Sequence, residues 1–370
     1  MNAGEKREAL KEARRIVVKI GSRSLTRASD ASQGRFAAVA AQIAKQHAAG
    51  RSVVLVSSGA IAMGYERLGL NARPTQMALL QASAAAGQSG LMRAYEEAFA
   101  VHGIHIAQIL LTHADLADRD RYLNARAALE ALLEYRVVPI INENDTVSVE
   151  EIKFGDNDQL ASMVSTLSGA ELLILLTDVE GVLDGAGARV SVVEDVAQAR
   201  AFVKASSSDL GTGGMGSKIN AAENATKHGV PVVIADARDA SILEKVLNGD
   251  DVGTLFMPGG SRLASRKHWI GYTLKPKGGV LIDEGAARAL GEGKRSLLPA
   301  GVVGVRGDFE AGDAISIVAP DGREIARGLT RYATRDVSRL AGAKTAEIEA
   351  RLGRAGADEI VHRDDLVVLA

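Results

Sequence analysis

Short apolar runs alternate with longer amphipathic segments along most of the chain. Six runs have the length and near-continuous apolar character of strands buried on both faces of a sheet: 15–20, 52–56, 104–111, 137–141, 172–176 and 230–234. Between them, apolar residues at helical spacing predict helices at 34–49, 76–101, 122–135, 159–167 and 217–228. This repetition predicts parallel strands joined by right-handed crossovers, hence an α/β fold: an open αβα sandwich with a mainly parallel central sheet.

The pattern changes after about Leu274. Short alternating strands follow, with glycine and other turn residues at hairpin spacing, which is typical of a small β-rich domain. We therefore predict an N-terminal extension at 1–13, an α/β domain at 14–257, a linker at 258–272 and a β-rich domain at 273–370.

Composition excludes several classes of protein. With 46% hydrophobic residues and a formal charge of −2, the 370-residue chain has no global attraction to nucleic acid or an anionic membrane. It has no cysteine, and so no thiolate nucleophile. The first fifteen residues are too charged for a signal peptide, and the apolar runs are too short to span a bilayer, so we expect a cytoplasmic location.

Acids and amides crowd at the predicted end of the fourth strand, in residues 142–145, and at the front of the following helix, in residues 156–158. In an open α/β sheet, ligands bind beyond the carboxyl ends of the strands. Turn and helix-cap roles are the alternative for either group alone. Two such groups together favour a ligand site.

Other strand ends carry further candidates. Lys19 lies in the first strand just before a turn of small residues, where its ammonium could meet an anion or simply reach water. Ser58 follows the second strand, where it could cap a helix or receive a carboxylate. Thr177 and Asp178 end the fifth strand, and Asp178 is open to a role with ribose, with a metal-bound water or as a cap.

The segment 211–218 reads GTGGMGSK and leads into a predicted helix. Such a glycine-rich loop at a helix start can hold a polyphosphate through backbone N–H groups. It is not a Walker loop, because Ser217 precedes Lys218 and no apolar strand comes before it. A flexible glycine loop is the structural alternative.

Two lysines, Lys19 and Lys218, suit phosphoryl transfer, because cations stabilise the charge on the transferring group. No histidine stands out as a general base. A carboxylate that accepts the phosphoryl group needs no general base, because it is already ionised at neutral pH. An alcohol acceptor usually needs one.

Eight motifs in this order resemble the glutamate 5-kinases (γ-glutamyl kinases) of the amino acid kinase superfamily: VVKIGSRSLT, VVLVSSGAIAMG, QASAAAGQSGLM, LLTHADLADRDRYLNAR, VVPIINENDTV, FGDNDQLAS, LLILLTD and GTGGMGSK. The C-terminal part, with LLPAGVVGVRGDFEAGD and VHRDDLVVL, is similar to a PUA domain. The resemblance covers the chain from about Arg14.

The resemblance implies roles for named residues. Lys19, Lys218 and Asp158 are implied to be catalytic, with Asp158 positioning the two lysines. Ser58, Asp145 and Asn157 match substrate-binding positions. The matching ATP-binding positions are Lys19, Thr177, Asp178, Thr212, Gly213, Gly214, Met215, Gly216, Ser217 and Lys218. The remaining polar residues of the two clusters are expected to shape and cap the loop: Asn142, Glu143, Asn144 and Asp156.

The implied reaction transfers the γ-phosphoryl group of ATP, with Mg²⁺, to the side-chain carboxylate of L-glutamate. In the family this is the first step of proline biosynthesis, commonly with feedback inhibition by proline, and a homo-oligomer, dimer or tetramer, is expected. Another kinase of the superfamily, acting for instance on N-acetylglutamate or aspartate, is an alternative. RNA binding through the PUA-like domain is a second alternative. The fifteen basic and fifteen acidic residues from Tyr272 onward argue against it, because a domain that binds nucleic acid is usually clearly basic.

Overall fold

The computed structural model describes residues 2–25, 29–147, 157–205, 214–259, 276–291 and 295–369. The chain divides into two compact units, residues 1–259 and 260–370. The predicted linker lies almost wholly outside the described residues, so its bounds, and the domain bounds that depend on them, stay predictions.

A single sheet forms the middle of the first unit. Its described strands are β1 Arg15–Ile20, β2 Ser52–Ser57, β3 Ile106–Leu111, β4 Val138–Glu143, β5 Leu172–Thr177, β6 Val192–Val193, β7 Val232–Asp236 and β8 Thr254–Phe256. Their order is β3-β4-β2-β1-β5-β7-β8-β6, and among these neighbours only β7 and β8 run antiparallel. The predicted α/β class is confirmed, and the six predicted strands are present with ends shifted by at most two residues.

The crossover helices surround this sheet. Those that the structure describes are α1 Ala3–Glu8, α2 Ser22–Leu25, α3 Ser29–Ala48, α4 Ala60–Arg67, α5 Met77–Ala100, α6 His113–Ala117, α7 Arg119–Glu134, α8 Asn157–Leu167, α9 Val196–Ala205, α10 Met215–Lys227 and α11 Ile242–Leu247. The five predicted helices are all present. Within the described part of the chain, no helix combines the length and apolarity needed to cross a membrane.

Helices cover both faces of the sheet, which explains the continuous apolar runs. In β1, Ile16, Val18 and Ile20 pack in the core on one face, and Val17 packs in the core on the other. Successive strand residues point to opposite faces, so a strand buried on both sides needs apolar residues throughout. Polar side chains therefore gather at the carboxyl ends of the strands.

Helices α4 and α5 touch through their backbones. A Cβ atom added to Gly64 would lie 1.7 Å from the carbonyl oxygen of Ser83, and one added to Gly87 would lie 1.8 Å from that of Ala60. Both contacts are with backbone atoms, which cannot rotate away as a side chain can. Glycine at these two positions allows the close approach of α4, the helix that follows β2.

The N-terminal extension is anchored by Arg7, whose side chain is 2% exposed. Its guanidinium donates hydrogen bonds to the carbonyl oxygens of Ser191, Asp250, Val252 and Gly253 at 2.8–3.0 Å. These acceptors lie beside β6 and β8. The extension is thereby joined to the far edge of the sheet.

The second unit has its own sheet and core. Its described elements are β9 Gly278–Ile282, α12 Glu284–Gly291, β10 Val302–Gly307, β11 Ala314–Val318, β12 Glu324–Leu329, α13 Thr334–Leu340, α14 Ile348–Leu352 and β13 Leu366–Val368. The strand order is β10-β9-β11-β12-β13, with β9 and β11 parallel and the other neighbours antiparallel. Phe309, Ile315 and Ile317 are central to its core. The predicted small β-rich unit is confirmed.

Candidate active site

Four neighbouring strands bring the sequence-predicted residues to one edge of the sheet. The order β4-β2-β1-β5 places the carboxyl ends of these parallel strands side by side. Lys19 belongs to β1, Ser58 follows β2, Asn142 lies near the end of β4 and Thr177 ends β5. The edge at which the sequence predicted a ligand site is therefore where these side chains lie.

A buried charged cluster joins β1 to the starts of two helices. The Nζ atom of Lys19 lies 2.6 Å from Oδ1 of Asp158, and Nζ of Lys218 lies 3.1 Å from Oδ2 of the same carboxylate. Ser217 donates a hydrogen bond to that Oδ2 at 2.6 Å. Asp158 is the second residue of α8, and Lys218 lies in the first turn of α10. One carboxylate thus holds two ammonium groups together.

Burial makes the electrostatics of this cluster strong. Lys19, Lys218 and Asp158 are between 1% and 6% exposed. Burial alone would raise the pKa of Asp158, but the charges of Lys19 and Lys218 outweigh it and lower that pKa to about 2. Burial also lowers the pKa of Lys218, and the attraction of Asp158 opposes this only in part. With both lysines protonated, the cluster carries one net positive charge and suits an anion.

An amide cluster lies on the other side of Asp158, around Asn157. The Nδ2 atom of Asn157 donates to Oγ of Ser58 at 2.7 Å, to the carbonyl oxygen of Ser57 at 3.2 Å and to Oδ1 of Asn142 at 3.1 Å. Ser57 is fixed in turn by a 2.8 Å hydrogen bond with the hydroxyl of Tyr95, and both residues are fully buried. The ends of β2, β4 and α8 are therefore held together by hydrogen bonds.

The structure extends this cluster beyond the residues that the sequence singled out. Asn142, expected only to shape the loop, donates from Nδ2 to Oε1 of Gln88 on α5 at 2.9 Å. Gln88 and Tyr95 lie in one helix, far from β4 in sequence, and no pattern in the chain connects them. Asp156 lies outside the described residues.

Asp145 lies two residues beyond β4, in a turn, and is half-buried. The turn is tied to the sheet by a 2.9 Å hydrogen bond from the backbone N–H of Asn144 to the carbonyl oxygen of Leu111. This places Asp145 at the same edge as the amide cluster.

The predicted nucleotide residues form a neighbouring group. Thr177 donates to Oδ1 of Asp178 at 3.2 Å, and the Asp178 side chain is exposed. Helix α10 begins at Met215 after Gly214, and the described residues provide no side-chain cap there. A Cβ atom added to Gly216 would meet nothing within 4 Å, so packing does not require this glycine. Thr212 and Gly213 lie outside the described residues.

Comparison with known proteins agrees with this geometry. Residues 14–236 match the model of the amino acid kinase family, and residues 278–352 match that of the PUA domain. The chain is 49% identical to a glutamate 5-kinase of Myxococcus xanthus, over 98% of both chains. It is 47% identical to a glutamate 5-kinase of Moorella thermoacetica, over the full length of both.

Solved structures show the same fold at low identity. A carbamate kinase from Giardia superimposes with a TM-score of 0.50 at 18% identity, covering 66% of this chain and 99% of the other. An N-acetylglutamate synthase from Neisseria gonorrhoeae, complexed with coenzyme A and L-arginine, also gives 0.50, at 16% identity, covering 69% and 65%.

Proposed function

Since the chain belongs to the amino acid kinase family and, within it, to the glutamate 5-kinases, we propose that it phosphorylates the side-chain carboxylate of L-glutamate. MgATP is the phosphoryl donor, and the products are L-glutamyl 5-phosphate and ADP. This is the first step of proline biosynthesis. The observation that carries the proposal is the Lys19–Asp158–Lys218 cluster, set at a sheet edge in a chain that matches these relatives along almost its whole length.

The two lysines act on the phosphoryl group in transfer. Their ammonium groups, held by one carboxylate, offer fixed positive charge to the oxygens of the γ-phosphoryl as it moves between ADP and glutamate. Asp158 positions the lysines and does not act as a base. The glutamate carboxylate is itself the nucleophile, so no proton has to be removed from it.

The amide cluster and the turn after β4 receive glutamate. Asn157 and Ser58, already hydrogen-bonded to each other, bind the substrate next to the charged cluster. Asp145 offers a carboxylate to the substrate's α-ammonium group. These roles place glutamate between β4 and α8, with its side-chain carboxylate toward Lys19 and Lys218.

The nucleotide binds on the β5 and α10 side. Thr177 ends β5 and Asp178 follows it, while residues 214–218 supply backbone N–H groups and the Lys218 ammonium for the phosphates. Thr212 and Gly213, which lie outside the described residues, stay predicted members of this group. Mg²⁺ enters with ATP as part of the substrate. A Cβ atom added to Gly216 would meet nothing within 4 Å. We propose that the phosphates bind in this open space.

Hydroxylamine trapping tests the reaction directly, because it converts the acyl phosphate to a stable γ-hydroxamate. We expect ATP-dependent hydroxamate with L-glutamate, and little with aspartate or N-acetylglutamate. Hydroxamate from N-acetylglutamate but not from glutamate would contradict the proposal. Adding L-proline to the same assay tests feedback inhibition, which we propose from the family.

We propose that RNA binding is not the function of the second unit. Its basic and acidic residues are equal in number, whereas RNA-binding surfaces are usually clearly basic. Tight, salt-sensitive RNA binding at physiological ionic strength would favour RNA as a partner of this unit. A homo-oligomer and a cytoplasmic location remain predictions, which sedimentation and cell fractionation would test.

A further inference from the structure

A chain of three side-chain amides runs from α5 to the start of α8. Gln88, Asn142 and Asn157 make up this amide chain. Asn142 donates to Oε1 of Gln88 at 2.9 Å, and Asn157 donates to Oδ1 of Asn142 at 3.1 Å. Asn142 is 2% exposed, so its orientation is determined by protein groups and not by water.

The amide chain has a direction. A primary amide has one acceptor oxygen and one donor nitrogen, so the bond that one end makes determines which end is left for the next residue. Because Nδ2 of Asn142 faces Gln88, its Oδ1 faces Asn157 and also accepts from the backbone N–H of Glu143 at 2.9 Å. Asn157 presents its nitrogen to Asn142 and Ser58, and also to the carbonyl oxygen of Ser57, and its oxygen faces elsewhere.

The oxygen of Asn157 is the group left over. Its Oδ1 atom is buried and accepts no hydrogen bond from any residue that the structure describes. The buried Nε2 of Gln88, at the other end of the amide chain, likewise has no partner within the described residues. Buried polar atoms normally have partners, so an unpaired acceptor at a substrate site indicates that a ligand supplies the donor.

We propose that Gln88 is a positioning residue that makes Asn157 present its oxygen, as an acceptor, to the α-ammonium group of glutamate. The inference rests on the proposed function. A reversed Asn157 would set an N–H₂ donor against the ammonium donor, which repels it. The acylated nitrogen of N-acetylglutamate carries no charge and only a single N–H. By fixing an acceptor at this place, Gln88 favours a substrate with a free ammonium group and contributes to selection against N-acetylglutamate.

Substitutions at Gln88 test this orientation. Gln88→Met keeps the length of the side chain and removes the acceptor, so the Asn142 amide loses one of the bonds that orient it, and the bonds to its oxygen alone remain. We expect the glutamate KM to rise about tenfold while the ATP KM stays within about twofold. The preference for glutamate over N-acetylglutamate in kcat/KM should fall by a similar factor. Gln88→Glu retains an oxygen for Asn142 and should recover most of the affinity.

Ser83→Ala is the matched control. Ser83 is buried on the same helix, and its hydroxyl makes no hydrogen bond with a described residue, so its removal should leave both KM values unchanged. Melting temperatures of all variants, together with glutamate binding by calorimetry, separate positioning from folding. Gln88→Ala provides a second test should the Met variant fold poorly, and the same split between the two KM values is expected.

The outcomes are distinct. Glutamate hydroxamate must first form with the parent enzyme; its absence would refute the proposed function, and this inference with it. If the parent is active and Gln88→Met leaves the glutamate KM within twofold, the inference alone is wrong. Equal rises in both KM values, with a lower melting temperature and no recovery in Gln88→Glu, would show that Gln88 has only a structural role. That result would also overturn the inference.

Discussion

Lys19 and Lys218 contact the two oxygens of one carboxylate, so each contributes charge to the same small volume. A group that acts on the developing charge of a transition state affects kcat more than substrate binding. We expect Lys218→Ala and Lys19→Ala to lower kcat by about 100-fold or more, and the glutamate KM to change by less than about threefold. Steady-state kinetics of the hydroxamate assay measures both.

Lys227→Ala is the control for these variants. Lys227 lies in α10 like Lys218, but its side chain is 67% exposed and pairs only with Glu223 among the described residues. Its removal should leave kcat unchanged. A near-normal kcat in either buried-lysine variant would remove that lysine from the catalytic role.

The depressed pKa of Asp158 predicts a pH-dependent contribution to stability. Because its pKa falls from 3.8 to about 2 on folding, the stabilisation is complete above pH 4 to 5 and is lost as the pH falls toward 2. Relative to Asp158→Asn, the parent should lose about 1 kcal/mol of free energy of unfolding between pH 5 and pH 3. Urea unfolding of both proteins measures this, and a constant difference would show that the pKa of Asp158 is not lowered.

Some residues of the candidate site could be predicted from the sequence and others could not. Lys19 and Asp158 were predictable because each is a charge next to an apolar run, at a place where a strand ends or a helix starts. Gln88 was not, because its only signal is a contact with Asn142, 54 residues away and on another element. Predicting such a pair requires the packing of α5 against the sheet, which periodicity does not provide.

Helix α4 is set in place by backbone contact with α5, and it begins immediately after Ser58 and Gly59, where we propose that glutamate binds. Gly64→Ala would drive a methyl group into the Ser83 carbonyl oxygen, so α4 must shift. We expect a higher glutamate KM and a lower melting temperature, with a smaller change in the ATP KM. Kinetics and thermal unfolding together check this.

Gly34→Ala is the comparison for that variant. Gly34 also lies within a helix, α3, but a Cβ atom there meets nothing within 4 Å. Alanine should therefore be neutral or stabilising by about 0.5–1 kcal/mol. If the two variants behaved alike, the contact between α4 and α5 would not be what positions Ser58.

The elements themselves were largely predictable, because strands buried on both faces need continuous apolar runs and crossover helices need amphipathic ones. The short strands β6 and β8 were missed. They have only two and three residues, so no period can be recognised in them. Their place in the sheet depends on the pairing of β6 with β8 and of β8 with β7.

At the scale of the whole molecule, the second unit has a buried hydrophobic cluster of its own, formed by residues between Val280 and Leu366. Ile317→Ala removes a fully buried side chain and should lower the stability of this unit by about 2–5 kcal/mol. The kcat and glutamate KM at 25 °C should stay unchanged. Calorimetry measures the loss of stability, and limited proteolysis shows whether it is confined to the second unit. Val303→Ala, at an exposed position on β10, is the control, and loss of glutamate turnover in the Ile317 variant alone would contradict the prediction.

The hydrogen bonds of Arg7 to carbonyl oxygens beside β6 and β8 have a consequence for the order in which the chain folds during synthesis. Asp250, one of the acceptors of Arg7, is synthesised 243 residues after it. At about 5–20 residues per second, this interval takes roughly 10 to 50 s. The β3-β4-β2-β1 half of the sheet can assemble during that time, while Arg7 lacks its partners. Helix α1, which carries Arg7, is therefore fixed in full only after Gly253, the last of the four acceptors, has been synthesised.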